Sequence, residues 1–314
     1  MTLELDAIEG IGEIQPGDNI AALVIEHANL ADDDVVVITS KVVSKAAGLA
    51  ADDKERVVDE QTDRVLAHRG GTRIIRTHHG LTLAAAGVDG SNVESGTYLP
   101  LPPDPDDSAR SIRADLRRLS GKRVAVVISD TAGRAWRQGQ TDIAIGCAGL
   151  LPLEAFAGRQ DSYGNPLVVT APAVADEVAA AAELASGKLG RRPVVIVRGL
   201  PEHVFTDEDG PGAASLIRPE RDDLFGLGSR EAVVAAVTGD VSAPRGFPET
   251  DASVPDLLEL AVVPEGLTAT VDLTSCQITA DPEGLVAAGE LRQRLLALAR
   301  AHGIELTVVV TTAS

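Results

Sequence analysis

The tightest constraint on this chain is the run Val124–Ala125–Val126–Val127–Ile128, set between Gly121–Lys122–Arg123 and Ser129–Asp130–Thr131. Five consecutive apolar residues bounded by charge and glycine read as a short buried strand. The strand is expected to end at Ser129–Asp130–Thr131, before Ala132–Gly133–Arg134. Open α/β sheets concentrate chemistry at the carboxyl ends of such strands. Asp130 and Thr131 are therefore expected to hold a metal ion bound to a nucleotide. A carboxylate and a hydroxyl at a strand-to-helix junction also suit a helix N-cap, and the segment alone leaves both readings open.

Two further strand ends deliver polar groups. Asp34–Thr39 is a second buried-strand pattern that runs into Ser40, Lys41 and Lys45. Leu81–Ala86 leads into Gly87–Val88–Asp89–Gly90–Ser91–Asn92. Carboxylates with a hydroxyl suit hard divalent cations, and lysines beside a glycine-rich loop suit the phosphates those cations accompany. No phosphate-binding G-x-x-x-x-G-K-[ST] loop is present, because Gly121–Lys122 lacks the earlier glycine and continues into Arg123. Asp130 also lacks the second aspartate of aspartyl-phosphate enzymes.

Charge sharpens the question. The net charge of −19 over 314 residues repels nucleic acid and anionic lipid, so neither is expected as a partner. Aromatic residues make up 2%, too few for platforms on which bases stack. A polyanionic substrate then requires basic groups gathered locally, and the chain has only five lysines, Lys41 and Lys45 among them. Cys147 and Cys276 lack metal-type spacing and read as buried thiols of a reducing compartment. The first ten residues carry no signal-peptide pattern and no apolar run is long enough to span a bilayer, so a cytoplasmic location is expected.

Periodicity places a strand at Leu3–Ile8 and a helix at Asn19–Ala28 with Asp18 as its cap. It also gives a helical segment from Asp52 to His68 that stops at Gly70–Gly71, and paired strands at Thr72–Arg76 and Leu81–Ala86. His78–His79 between these last two reads as a tight turn rather than a metal site. Further along, a helix is expected at Ser111–Leu119, a strand at Leu167–Thr170, a helix at Ala173–Ala185 and a strand at Val194–Val197. Ser229–Val237 reads as the last helix of the main body. Beyond it lie a strand at Thr268–Leu273, a helix at Leu285–His302 and a strand at Ile304–Thr311.

The segments VVVITSKVVSKAAG, LAAAGVDGSNV, VISDTAGRAWRQGQTDIAIGCAGL, DSYGNPLVVT, VADEVAAAAELASGKLG and PVVIVRGL occur in this order between Leu3 and Leu200. In this the chain resembles the coenzyme F-420-0:L-glutamate ligase family, with weaker likeness to about Val237. The resemblance implies an α+β (mixed α/β) two-lobed glutamyl-ligase fold with mixed sheets, neither P-loop nor Rossmann, and a homodimer. It implies a ligase that uses GTP to phosphorylate the terminal carboxylate of the coenzyme F-420-0 precursor. L-glutamate then attacks the acyl phosphate, and GDP and phosphate are released. Carried over by position, Asp89 and Asp130 are the catalytic carboxylates and ligands of one Mn²⁺ or Mg²⁺, and Thr131 binds a second such ion, with K⁺ assisting. Ile11, Gly12, Glu13, Ile14, Ser40, Lys45, Asn92, Gly187 and Lys188 correspond to nucleotide contacts. Some members carry Glu or Gln where this chain has Lys188; a charged lysine cannot ligate a metal and suits a phosphate instead. The alternatives are a ligase of the same fold acting on another carboxylate, and a non-catalytic nucleotide-binding homologue.

The ligase domain is expected over 1–237, a linker rich in Pro, Gly, Ser and acids over 238–256, and a small α/β extension of unassigned role over 257–314. Some members of the family continue into a flavin-binding domain. This tail is too short for one, and no second activity is expected.

Overall fold

The computed structural model describes residues 2–239, 247 and 250–313. The chain divides into two compact units, the first ending at Ile217 and the second starting at Arg218. The first unit contains β1 (Glu4–Ala7), α1 (Ile20–His27), β2 (Asp34–Thr39), α2 (Ser40–Ala46), α3 (Lys54–Gln61), β3 (Thr62–Arg69), β4 (Thr72–Thr77) and β5 (Thr82–Ala84). It continues with α4 (Pro105–Ser120), β6 (Val124–Gly133), β7 (Gln140–Ala148), β8 (Arg159–Gln160), β9 (Pro166–Leu167), α5 (Val174–Ser186) and β10 (Val194–Arg198). Helices and mixed sheets together make the fold α+β, as expected.

The main sheet has the order β1-β10-β2-β6-β7. Only β2 and β6 run parallel; the other neighbours are antiparallel, which separates the sheet from a doubly wound one. The apolar runs are continuous because both faces are covered. Val36, Ile38, Val126, Ile128 and Ile196 face a layer that includes Val24 of α1 and Leu116 of α4. Their neighbours Val35, Val37, Val127 and Val197 face Val178 and Ala182 of α5.

Several expectations are corrected here. β6 does not stop at Ser129 but runs through Gly133 and turns back as β7, so Asp130 and Thr131 lie inside a hairpin strand and cap no helix. The helix expected up to His68 ends at Gln61. Residues 62–69 instead alternate partly buried and exposed side chains and pair with β4 across Gly70–Gly71. Asn19, not Asp18, caps α1 by accepting from the Ala22 N–H at 2.9 Å, while Asp18 accepts from Gln15 N. Pairing beyond Pro166 ends at Leu167, leaving Val168 and Val169 exposed and unpaired in any strand.

The β6–β7 hairpin carries an irregularity that matters for the site. Ile128 pairs with Gly146, but Ser129 pairs with Ala144, so β7 holds one extra residue at Ile145. Ala148 and Ile145 both face the α4 side, while Cys147 and Ala144 face α5. A bulge of this kind shifts the phase of the alternation and re-aims every side chain beyond it. Here it puts Asp142 directly opposite Thr131. Gly146 is required at this point because a Cβ there would overlap the backbone carbonyl of Pro105, the first residue of α4.

The second unit contains α6 (Ser229–Thr238), α7 (Val254–Ala261), β11 (Thr268–Val271), β12 (Ser275–Ala280), α8 (Leu285–Ala301) and β13 (Thr307–Thr312). β12 pairs antiparallel with β11 and parallel with β13, and Leu291 and Leu295 of α8 bury against Cys276 and Ile278. Helix α6, read from sequence as the end of the main body, packs on α8, whose Arg300 and Gln293 hydrogen-bond the Val237 carbonyl. Part of the expected linker, residues 240–246, 248 and 249, lies outside the described residues. No helix among the described residues is long and apolar enough to cross a membrane.

Arg113 ties the first unit together from inside. It is 1% exposed and donates to the Val124 carbonyl (2.8 Å), the Thr206 carbonyl (2.9 Å) and Asp209 (2.7 Å). Arg113→Met keeps the stem but strands these acceptors. It is expected to cost about 3 kcal/mol, read as a lower denaturant midpoint at unchanged slope. An unchanged midpoint would remove this role from Arg113.

Candidate active site

Five chain segments meet at one cavity of about 920 Å³. Its wall includes Ile11, Gly12, Glu13 and Ile14 from the loop after β1, Lys45 from α2, and Asn92 from the loop after β5. Thr131 of β6 and Gly187 and Lys188 after α5 complete the set expected from sequence. The remaining expected residues stand one layer behind. Ser40 Oγ donates to Asp130 Oδ1 at 2.7 Å, and Asp89 Oδ2 pairs with Lys41 Nζ at 2.9 Å, Lys41 itself lining the cavity. The residues expected from sequence therefore lie in the cavity wall or directly behind it.

Local structure explains the placements. Asp89 is fixed by backbone pairing to Leu99 in both directions, and its carboxylate accepts from the Ser91 N–H (2.6 Å) and hydroxyl (2.9 Å). This side-chain-to-backbone turn is a usual role of Asp. Asn92 then adopts a left-handed backbone, φ 56°, and its carbonyl accepts from Lys45 Nζ at 2.7 Å. The same ammonium also donates to Glu13. Asp130 and Thr131 are neighbours on a strand, so their side chains leave opposite faces. Asp130 turns to Ser40, and Thr131 Oγ1 donates to Asp142 Oδ1 at 2.8 Å.

The electrostatics are those of crowded carboxylates around one ammonium. Lys41, read from sequence as a phosphate contact, is buried and turned to Asp89. Burial works against its charge, but the hydrogen bond to Asp89 and the charges of Asp130, Asp89 and Asp142 outweigh it and hold the ammonium above its usual range. Burial also opposes ionisation of Asp89, and Lys41 and Ser91 more than offset it, so its carboxyl lies below the ordinary value. Asp130 goes the other way. Burial pushes it up to about 6, reinforced by Asp142 and Asp89 and only partly relieved by Ser40 and Lys41. Asp89 and Asp130 therefore feel one another within a single cluster.

Asp142 and Glu183 of α5 also line the cavity and were not foreseen. Asp142 depends on the bulge, which no local pattern announces. Glu183 is brought there by the packing of α5, and burial together with the Asp142 charge raises its carboxyl above the usual range. The basic groups needed for a polyanion are present: Lys41, Lys45 and Lys188, three of the chain's five lysines, line the cavity with Arg191 and Arg192. The histidines lie outside it. His79 Nε2 is 2.9 Å from the Pro102 carbonyl oxygen, and His27 Nδ1 is 2.8 Å from that of Leu23.

Comparison with known proteins places this chain in a family. A family model described as F420-0:Gamma-glutamyl ligase matches residues 10–66 and 51–199. The chain belongs to the F420-0:gamma-glutamyl ligase family. A protein of Methanothermobacter thermautotrophicus named coenzyme F420:L-glutamate ligase is 38% identical over 255 residues, covering 72% of this chain and 99% of the relative. Proteins of the same name from Methanosarcina mazei and Haloarcula marismortui are 34% and 36% identical, over 73% and 70% of this chain and 98% and 95% of theirs. The matched model takes in every site residue from Ile11 to Lys188 and stops at residue 199, short of the second unit.

The raised Asp130 carboxyl has a consequence for stability. An aspartate held near 6 when folded and near 3.9 when unfolded destabilises the fold progressively as pH rises through that window. Asp130→Asn removes the charge and keeps an oxygen for Ser40. The variant should gain on wild type by roughly 2 kcal/mol between pH 4 and pH 7, with no further gain above. Unfolding free energies across that range check it, and a pH-independent difference would remove the buried charge as the cause.

Proposed function

We propose that the chain is a GTP-dependent ligase that joins L-glutamate to the terminal carboxylate of coenzyme F-420-0, acting as a homodimer. The observation that carries this reading is the convergence of the Ile11–Ile14 loop, Lys45, Asn92 and the 187–192 loop on the cavity that Asp89, Asp130 and Thr131 adjoin. The names of the relatives supply the substrate and the amino acid.

Phosphoryl transfer between two anions needs positive charge to offset repulsion and hold the reacting oxygens in line. Lys45, Lys188, Arg191 and Arg192 suit the triphosphate oxygens. The donor oxygens of Asp89, Asp130 and Thr131 suit Mn²⁺ or Mg²⁺, with K⁺ as an accessory ion. Among the described residues no three His, Cys, Asp or Glu side chains gather as a complete metal site. Mg²⁺-type ions are held by one or two carboxylates together with the phosphates of the substrate. When bound, such an ion supplies charge to the transferring phosphoryl group.

In the first step an oxygen of the coenzyme carboxylate attacks the γ-phosphorus of GTP and GDP leaves, giving an acyl phosphate. In the second, the amine of glutamate attacks the acyl carbon, the amide bond forms and phosphate departs. The amine must shed a proton, and Glu183, whose carboxyl is held above its ordinary range, is a suitable acceptor on the cavity wall.

Incubation with GTP, Mn²⁺, L-glutamate and coenzyme F-420-0 should yield glutamylated coenzyme and GDP in equal amounts, followed by mass spectrometry, and EDTA should abolish both. Asp130→Asn should lower turnover by roughly 100-fold or more while the protein stays folded. GDP formed only with a different carboxylate would overturn the substrate, and nucleotide binding without turnover would overturn the enzyme.

A further inference from the structure

Thr131 and Asp142 face each other in the hairpin register, and both reach the cavity wall. A hydroxyl has one hydrogen to give and two lone pairs to offer. The Thr131 hydrogen goes to Asp142 Oδ1 (2.8 Å), and that of Ser129, two residues earlier on the same face, goes to Asp142 Oδ2 (2.9 Å). Ser129 is 4% exposed and Asp142 6%, so water has little access with which to compete for either hydrogen. Thr131 is left showing the cavity lone pairs alone.

We propose that Asp142 is a positioning residue that, by holding the hydroxyl hydrogen of Thr131, makes this threonine an obligate acceptor, so that its part of the wall takes a hard cation and turns away phosphate oxygen. The inference rests on the cation-and-triphosphate reading above. It divides the labour within one cavity: Lys45, Arg191 and Arg192 can only donate and suit phosphate, whereas Thr131 can only accept. Asp142 acts through Thr131, which is why neither its spacing in the sequence nor a count of metal-type ligands reveals it.

The distinguishing variant is Asp142→Asn, which keeps size and one acceptor but brings N–H hydrogens that a hydroxyl must accept. Ser129 is buried whereas Thr131 reaches the cavity, so the amide oxygen stays with Ser129, the amide nitrogen faces Thr131, and Thr131 turns its released hydrogen toward the cavity. Mn²⁺ is titrated into wild type, Asp142→Asn, Thr131→Ala, Thr131→Ser and the Asp142→Asn/Thr131→Ala double variant, each with GDP, and free Mn²⁺ is followed by electron paramagnetic resonance. Asp142→Asn and Thr131→Ala should each weaken Mn²⁺ binding by roughly 10- to 100-fold. The double variant should bind no more weakly than Thr131→Ala, as expected when one residue acts through the other. Thr131→Ser should bind like wild type, and GDP affinity without divalent ion should not change. Wild-type Mn²⁺ affinity in folded Asp142→Asn, or additive losses in the double variant, would overturn the inference. Should Asp142→Asn fail to fold, Thr131→Ser decides: weak Mn²⁺ binding there overturns the inference, because the hydroxyl and its acceptor are both retained. Glutamate ligation by wild type is assayed separately. A protein that shows the Mn²⁺ pattern but forms no amide keeps the inference and loses the function; one that forms amide while Asp142→Asn binds Mn²⁺ normally does the reverse.

Discussion

The ammonium of Lys41 is what allows this site to exist. Burying carboxylates together is costly, because each raises the free energy of ionising the next. Lys41 is 8% exposed, bonds Asp89 directly, and lowers the cost of Asp130 and Asp142 through its charge. The offset is incomplete, since Asp130 remains near 6. The cluster is left with negative charge that Lys41 does not fully balance. The protein thus keeps stability in reserve at the site rather than spending it on a fully satisfied network.

The fold delivers Lys41 and Asp130 through one parallel strand pair. β2 and β6 run side by side in register from Asp34↔Val124 to Thr39↔Ser129, so their carboxyl ends coincide. Ser40 and Lys41 follow directly from β2, and Asp130 and Thr131 extend β6. Apolar layers on both faces lock that register, because a slip of one residue would exchange the side chains of the two layers. The core therefore sets the chemistry to within a residue.

What could be read from the residues follows the same division. β2, β6 and β10 were legible because a strand buried on both faces is a continuous apolar run. The strand-end residues Ser40, Lys45, Asp89, Asp130 and Thr131 could be singled out on position and chemistry, and the family resemblance added the Ile11–Ile14 and 187–188 loops. The hairpin was not legible: its turn, Arg134 to Gly139, carries no short-turn signature, and a glycine breaks the alternation of β7. A charged stretch such as 62–69 has no strong periodicity, and pairing with β4 decides its form. Asp142 and Glu183 stayed hidden because tertiary placement alone brings them to the cavity. The boundary after Ile217 was hidden too, since the contacts of α6 with α8 leave no local mark.

The surplus residue in β7 works like a clutch between two halves of the hairpin. On the sheet side, Val126 to Ile128 and Gly146 to Ala148 keep step with the apolar layers. On the tip side, Ser129 to Gly133 and Gln140 to Ala144 keep step with each other. The two halves are thus uncoupled in register: a change in pairing on the tip side leaves the stacking of the valines in the open sheet beneath it unchanged. The pairing of Thr131 with Asp142 is set by the tip half alone, and the core beneath it need not repack for that pairing to change.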